Sequence, residues 1–187
     1  MNADKHTKGT ILILGVNRLK CVWSVCLNKK WKVIIMIIDK ETGNIIFDTG
    51  EVLKPRMTLD EVKASSIIAL LRDENINDIE HSLWFKPFTC YGSTVYMKAV
   101  MSSKRIGKVT ICLDEAANFY EDPYYDRKFP LYEEKHINFI KKILQIDEFD
   151  GDIHFKWGCV DFSANARSAY MKIGIKYYLE DEDTEDL

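Results

Sequence analysis

Histidines, cysteines and paired carboxylates are the side chains most able to do chemistry, and their spacing here is uninformative for catalysis. His6, His81, His136 and His154 are scattered, without ligand spacing to one another or to the cysteines. Cys21 and Cys26 form one isolated pair, whereas a zinc site takes four ligands, so no metal is expected. His136 and His154 read as surface or helix-face residues. The sequence has no glycine-rich phosphate loop and no G-x-S-x-G elbow. Asp60 and Glu61 stand side by side, but behind Thr58 they are better placed for capping a helix than for acid–base work. Lys and Arg do not cluster with aromatics in the body of the chain, which speaks against direct nucleic-acid binding. The residues therefore point to no catalytic group and no cofactor: the chain does not read as an enzyme.

One segment reads as a binding surface. Residues 114–126, DEAANFYEDPYYD, hold five acids (Asp114, Glu115, Glu121, Asp122, Asp126) and no base, interleaved with Phe119, Tyr120, Tyr124 and Tyr125. Tyrosine buries a large area while keeping a hydrogen-bonding tip, and is enriched at interface hot spots. The acids would steer a basic partner. The plainer alternative packs the aromatics onto the sheet and leaves the acids to keep the loop soluble. Residues 115–129 show neither a helical nor a strand period and read as a long loop, a kind of segment that is often functional.

The elements that must position this segment follow from periodicity. KVIIMIID, from Lys32, is apolar at nearly every position and reads as a strand covered on both faces. KETGN is a turn, and IIFDTGEVL returns, so 32–53 is a β-hairpin. EVLKPRMTLDEVKASS then places Thr58 three residues before Glu61, the capping-box spacing, with Met57 and Val62 as a hydrophobic staple. Ser65 or Ser66 restarts a helix with Ile67, Ile68 and Leu71 on one face. Strands are expected at 81–88 and 93–101, and in RIGKVTICLD, where Val109, Ile111 and Leu113 alternate with Lys108, Thr110 and Cys112. PLYEEKHINFIKKIL is the longest helix, with Pro130 in its first turn and Ile137, Ile140 and Leu144 on one face. DIHFKWGCVDF directs Ile153, Phe155, Trp157 and Cys159 to one side. SAYMKIGIKYY directs Ala169, Met171, Ile173, Ile175 and Tyr177 to one side, and SANAR connects the two strands. The fold class is α+β: a predominantly antiparallel sheet with one long helix and one short capped helix.

The 187 residues suffice for one domain with a real core. Charge is uneven: residues 1–30 carry net +5, 180–186 (EDEDTED) carry −6, and 31–179 carry −2. The organisation is an N-terminal extension over 1–30, a single α+β domain over 31–179 and an acidic tail over 180–187, the ends having the composition of disordered segments. Five cysteines without framework spacing suit a reduced, cytoplasmic protein. KHTKGTILILGV resembles the start of a signal peptide, but Asn17, Arg18 and Lys20 interrupt the apolar run. No clean cleavage site follows, and nothing reaches the roughly 18 apolar residues of a spanning helix.

Taken as one block, WKVIIMIIDKETGNIIFDTGEVLKPRMTLDEVKASS resembles the N-terminal part of the small bacterial immunity proteins encoded beside contact-dependent growth inhibition and related polymorphic toxins. Members begin with an apolar strand, an I-x-D-x-x-T-G-x-I-I-F hairpin and then L-x-P-x-M-T-x-x-E-F leading to a Ser. Their C-terminal part carries a W-G strand, an acidic residue and a closing strand ending in I-x-Y. Here these are Trp157-Gly158, Asp161 and Ile175-Lys176-Tyr177. The likeness runs in order over about 31–178 and is specific in 33–62. It departs at Arg56, where members have Gly, and residues 1–30 and the acidic tail have no counterpart. The resemblance implies a protein that binds a cognate toxin domain at its active site or an exosite, many such toxins being nucleases, with no catalytic residues of its own. On that reading residues 114–126 are the toxin-binding segment. The readings set against it are a small hydrolase of unknown substrate and a surface-associated lipoprotein using the N-terminal apolar run.

Overall fold

The hairpin over 32–53 forms, and its own side chains close it. The computed structural model describes residues 31–72, 82–113, 125–165 and 170–178. In it β1 (Met36–Ile38) pairs antiparallel with β2 (Ile45–Phe47), which pairs in turn with β3 (Val52–Leu53). Between β1 and β2 the Asp39 carboxylate accepts from the Thr42 hydroxyl at 2.7 Å and the Glu41 N–H at 2.9 Å. These bonds hold its pKa below the ordinary carboxylate value. Gly43 follows at φ +73, a left-handed conformation that costs glycine little. The apolar run is not covered on both faces, as its composition suggested. Ile34, Met36 and Ile38 are buried, but Val33 is 70% and Ile35 47% exposed. This small sheet puts one face on the core, and an unbroken apolar run does not reveal which positions that face takes.

The capping box is made in full. Thr58 Oγ1 accepts from the Glu61 N–H at 3.2 Å, and Glu61 Oε2 accepts from the Thr58 N–H at 2.7 Å, opening α1 (Leu59–Ala64). Met57 and Val62 are both buried. Arg56 stands at φ 59, so the turn before the helix keeps a left-handed residue where the resembled family has glycine. A 3-10 turn over Ser66–Leu70 follows in place of a second α-helix. The Ser65 hydroxyl is not its cap but donates back to the Val62 carbonyl at 2.8 Å. Ile67 and Leu71 are buried there, and Ile68 only partly.

A seven-stranded antiparallel sheet makes up the other layer. Its strands are β4 (Ser82–Trp84), β5 (Phe88–Cys90), β6 (Ser93–Ser102), β7 (Arg105–Leu113), β8 (Asp152–Phe155), β9 (Gly158–Asn165) and β10 (Tyr170–Tyr177). They lie in the order β4-β6-β7-β10-β9-β8, with β5 also pairing β6. The fold is α+β and mostly antiparallel. Two strands expected as single pieces are broken. Residues 82–90 divide into β4 and β5, and Leu71 bridges Phe85 between them. Residues 152–162 turn at Lys156 and Trp157, so β8 and β9 form a hairpin. Cys159 consequently pairs with His154 and faces away from Ile153 and Phe155. On β10 the alternation holds as read: Met171, Ile173, Ile175 and Tyr177 are buried, while Ala169 lies outside the described residues.

The long helix, α2 (Tyr125–Leu144), packs against β1, β9 and β10. It begins five residues before Pro130, so 125–129 are helical rather than loop. Pro130 thus stands inside the helix, not in its first turn, and forfeits one intrahelical bond, while Phe129 and Tyr132 pack there on Met171 and Phe162. The buried stripe is His136, Phe139, Ile140, Ile143 and Leu144, one residue out of step with the expected Ile137. His136 is a core residue, not a surface one. Its Nδ1–H donates to the Tyr132 carbonyl at 2.7 Å and its ring leans on Phe162. Among the described residues no helix is long and apolar enough to cross a membrane.

Besides the bridge of Val33 to Thr89, where the Ile34 N–H donates to the Thr89 carbonyl at 2.9 Å, two further long-range junctions join the layers. The Arg105 guanidinium donates to the Arg56 carbonyl at 3.2 Å and the Ile106 N–H to the Met57 carbonyl at 2.9 Å, pinning the start of α1 to β7. At the opposite end Trp157 lies against Gly43, where any Cβ would meet the indole ring. Trp157 Nε1–H donates to the Lys40 carbonyl at 3.0 Å, and the Tyr177 hydroxyl donates to the Gly43 carbonyl at 3.3 Å. Burial raises the Tyr177 pKa, so this donor keeps its proton.

Gly43→Ala combines a strained φ with the blocked indole site, and should cost about 1–3 kcal/mol in chemical denaturation. Loss well below that would mean the ring slides away freely. Thr58→Ala should cost about 1 kcal/mol. The Thr58 backbone and side-chain bonds hold Glu61 below its ordinary pKa, so its ionised form stabilises the fold above the ordinary carboxylate range. Wild type should therefore exceed Glu61→Gln in stability near neutrality, with the gap closing as pH falls through the lowered Glu61 pKa. Urea melts across acidic pH would show this; a gap independent of pH would refute it.

Candidate functional site

Of the segment singled out by composition, only the last two residues are described. Asp114, Glu115, Phe119, Tyr120, Glu121, Asp122 and Tyr124 lie outside the described residues. Tyr125 and Asp126 form the start of α2 instead of closing a loop. The segment thus joins the end of β7 to the beginning of a helix packed on β9 and β10. The readings of residues 1–30 and 180–187 also fall outside the described residues.

A second candidate surface comes from strand register and was not identified from sequence. Core-facing residues of the large sheet meet α2 and the small sheet; the alternate residues form its outer face. One row runs in register across six strands: Trp84, Lys98, Thr110, Gly174, Asp161 and Asp152. The next row carries Val100, Lys108, Lys176, Cys159 and His154. A third aligns Tyr96 with Cys112 and Lys172 with Ser163. Four ammonium groups, of Lys98, Lys108, Lys172 and Lys176, thus share the central strands with one carboxylate, Asp161.

Asp161 organises the middle of this face. Its Oδ2 pairs with Lys176 Nζ at 2.8 Å, and its side chain is 18% exposed against 47% for Lys176. Oδ1 is closed off from solvent, with no hydrogen-bond partner among the described residues. The carboxylate fits there because position 174 is glycine: a Cβ on Gly174 would run into Asp161 Oδ1. The hydrogen bond from Lys176 to Asp161 raises the Lys176 pKa. Lys108 goes the other way, lowered first by burial and then by Lys172, with Lys176 adding to the fall against the pull of Asp161. Lys108 thus lies within reach of the charges of Lys172, Lys176 and Asp161. Lys98 lies over the Trp84 ring at 5.1 Å and the Arg72 guanidinium is 5.9 Å from the same ring, so the indole supports cations.

At the β8 edge His154 bridges two partners. The Tyr178 hydroxyl donates to Nδ1 at 2.6 Å, and Nε2–H, in that tautomer, donates to Asp152 at 3.0 Å. His154 is a surface residue, as its place in the sequence suggested. Cys90, Cys112 and Cys159 are free thiols, and burial raises all three pKa values, that of Cys90 to about 11. They are therefore protonated and poor nucleophiles near neutrality. Among the described residues no three His, Cys, Asp or Glu side chains gather as a metal site.

Lys108 on β7 and Lys172 and Lys176 on β10 are visible in the sequence, but nothing local sets Lys108 beside Lys176 or Gly174 beside Asp161. Comparison with known proteins adds no further assignment: no family model, no curated protein and no solved structure matches the chain.

Gly174→Ala should displace the Asp161 carboxylate and weaken its pair with Lys176. In a double-mutant cycle with Asp161→Ala the two changes should couple by about 0.5–3 kcal/mol, the Gly174→Ala penalty shrinking once the carboxylate is gone. Strict additivity in urea melts would show that Gly174 serves another purpose.

Proposed function

We propose that this chain is a toxin-neutralising binding protein of the immunity type, acting by occupying the active site or an adjacent exosite of a cognate bacterial toxin domain. One observation carries the reading beyond the sequence likeness. The motifs on which the resemblance rests lie far apart in the chain and form one junction. Asp39, Thr42 and Gly43 make the first turn. Trp157, from the W-G motif, packs on that turn, and Tyr177, from I-x-Y, donates to it. Asp161, the acidic residue that follows the W-G motif, pairs with Lys176, which stands at the variable position of I-x-Y. Residues that repeat together for a structural reason should touch, and these do. Arg56 adds to this by holding the left-handed conformation natural to glycine.

These motifs are scaffold, and the partner-contacting surface belongs on segments the scaffold displays. We assign it to 114–126, which is tied at one end to β7 and at the other to α2. Its acids suit a toxin with a basic substrate groove, where opposite charge speeds encounter.

The test is co-expression with toxin domains of contact-dependent growth inhibition and related systems, any encoded next to this chain first, scored by survival and by co-purification. Survival with a stable complex is the expected result; a toxin that kills unchecked and does not co-purify overturns the proposal. Glu121→Lys with Asp122→Lys should lower the on-rate about ten-fold at low salt, with the loss shrinking as salt rises. Unchanged rates at every ionic strength would place the interface elsewhere on the molecule.

A further inference from the structure

The outer sheet face is a cationic floor with a matching anion in the same chain. Lys98, Lys108, Lys172 and Lys176 share it with Asp161, and α2 and the small sheet pack on the opposite face. Two residues beyond Lys176 the chain leaves β10 through Tyr178, whose ring stacks on His154 at the edge of this floor. Residues 180–186 then follow, with Glu180, Asp181, Glu182, Asp183, Glu185 and Asp186 around a single Thr184. We propose that this acidic run docks in cis across the outer face of the sheet, its carboxylates against Lys98, Lys108, Lys172 and Lys176.

Charge and reach both suit this occupant. Strands lie about 4.8 Å apart, so from β10 across β7 to β6 is about 10 Å. Seven extended residues span about 24 Å, enough to cross that distance after turning back at Tyr178. The face is better matched to an acidic peptide than to single-stranded nucleic acid. Nucleic acid would use exposed aromatic rings as stacking platforms; on this face Tyr96 is half-buried and Trp84 already carries Lys98 and Arg72. The other acid-rich segment, 114–126, is a poorer occupant, since it leads from β7 to a helix on the core side of the sheet. Docking in cis also accounts for the reversal of charge between floor and tail. Each alone would attract unrelated partners of opposite sign, and together they neutralise one another.

The experiment keeps the full chain and neutralises the run isosterically: Glu180→Gln, Asp181→Asn, Glu182→Gln, Asp183→Asn, Glu185→Gln and Asp186→Asn. The probe is a synthetic peptide of residues 179–187 with its acids intact, titrated into each protein and followed by amide shifts. A short tether gives a local concentration of order millimolar, so the native chain should bind the peptide at least about ten-fold more weakly than the neutralised chain. Shifts should map to Lys98, Thr110, Cys112, Lys172 and Gly174 and fade above about 0.3 M salt. Lys98→Gln with Lys172→Gln, which leaves the Asp161–Lys176 pair in place, should abolish peptide binding by the neutralised chain. Equal binding by native and neutralised chains overturns the proposal, as does no binding by either. It also fails if an oligo-dT of similar charge outcompetes the peptide on the same residues, or if neutralising the acids of 114–126 instead is what opens the face. None of these results depends on a toxin, so failure here and failure of the immunity reading are distinguishable.

Discussion

The contact between the Trp157 ring and the Gly43 turn is the constraint on which the arrangement of the two layers depends. An indole can lie against backbone only where no Cβ intervenes, and Gly43 provides that opening while also taking the left-handed φ that closes the β1–β2 turn. Because Trp157 itself sits in the turn between β8 and β9, the contact fixes one edge of the large sheet relative to the small one. Tyr177 donates from β10 to the same turn, so three strands of the large sheet are referred to one glycine. The remaining core, from Phe47 against Phe85 and Phe88 to Tyr91 against Phe139, fills the space that this contact and the α1 anchor define.

The anchor at α1 answers why a six-residue helix carries so complete a set of start signals. A helix that short cannot sustain itself through its own hydrogen bonds. Its box, buried staple and left-handed Arg56 hold the chain where the Arg56 and Met57 carbonyls meet Arg105 and Ile106. The capped helix is thus a clasp between the small sheet and the β6–β7 hairpin, and its local chemistry serves a long-range purpose.

Burial on one side of the large sheet leaves the other side to electrostatics. Around Asp161 a glycine opposite, a lysine partner and two further lysines make a compact charged cluster. The carboxylate is worth burying only because Lys176 compensates it.

Much of the fold was legible in the sequence because its signals are local. The capping box needs only Thr58 and Glu61, three residues apart; the first hairpin needs Asp39, Thr42 and Gly43; the alternation in 171–177 assigns the buried side of β10 without knowing its neighbours. Where partners from elsewhere decide, the sequence pattern misled. Ile35 looked buried because its run is apolar, and Cys159 was aligned with Phe155 because a turn at Lys156 and Trp157 carries no Pro, Asn or Asp. The helix was started at Pro130 because the packing of Phe129 on Met171 cannot be read from spacing. The composition of 114–126 pointed to an acidic display segment, but the lysine floor stayed hidden, since Lys108, Lys172 and Lys176 become neighbours only through the register of β7, β9 and β10. Sequence alone determined which short segments turn, cap and alternate, because those choices rest on interactions a few residues long. Tertiary structure decided which faces are covered and which charges meet, because both depend on strand pairings that bring together residues more than sixty positions apart.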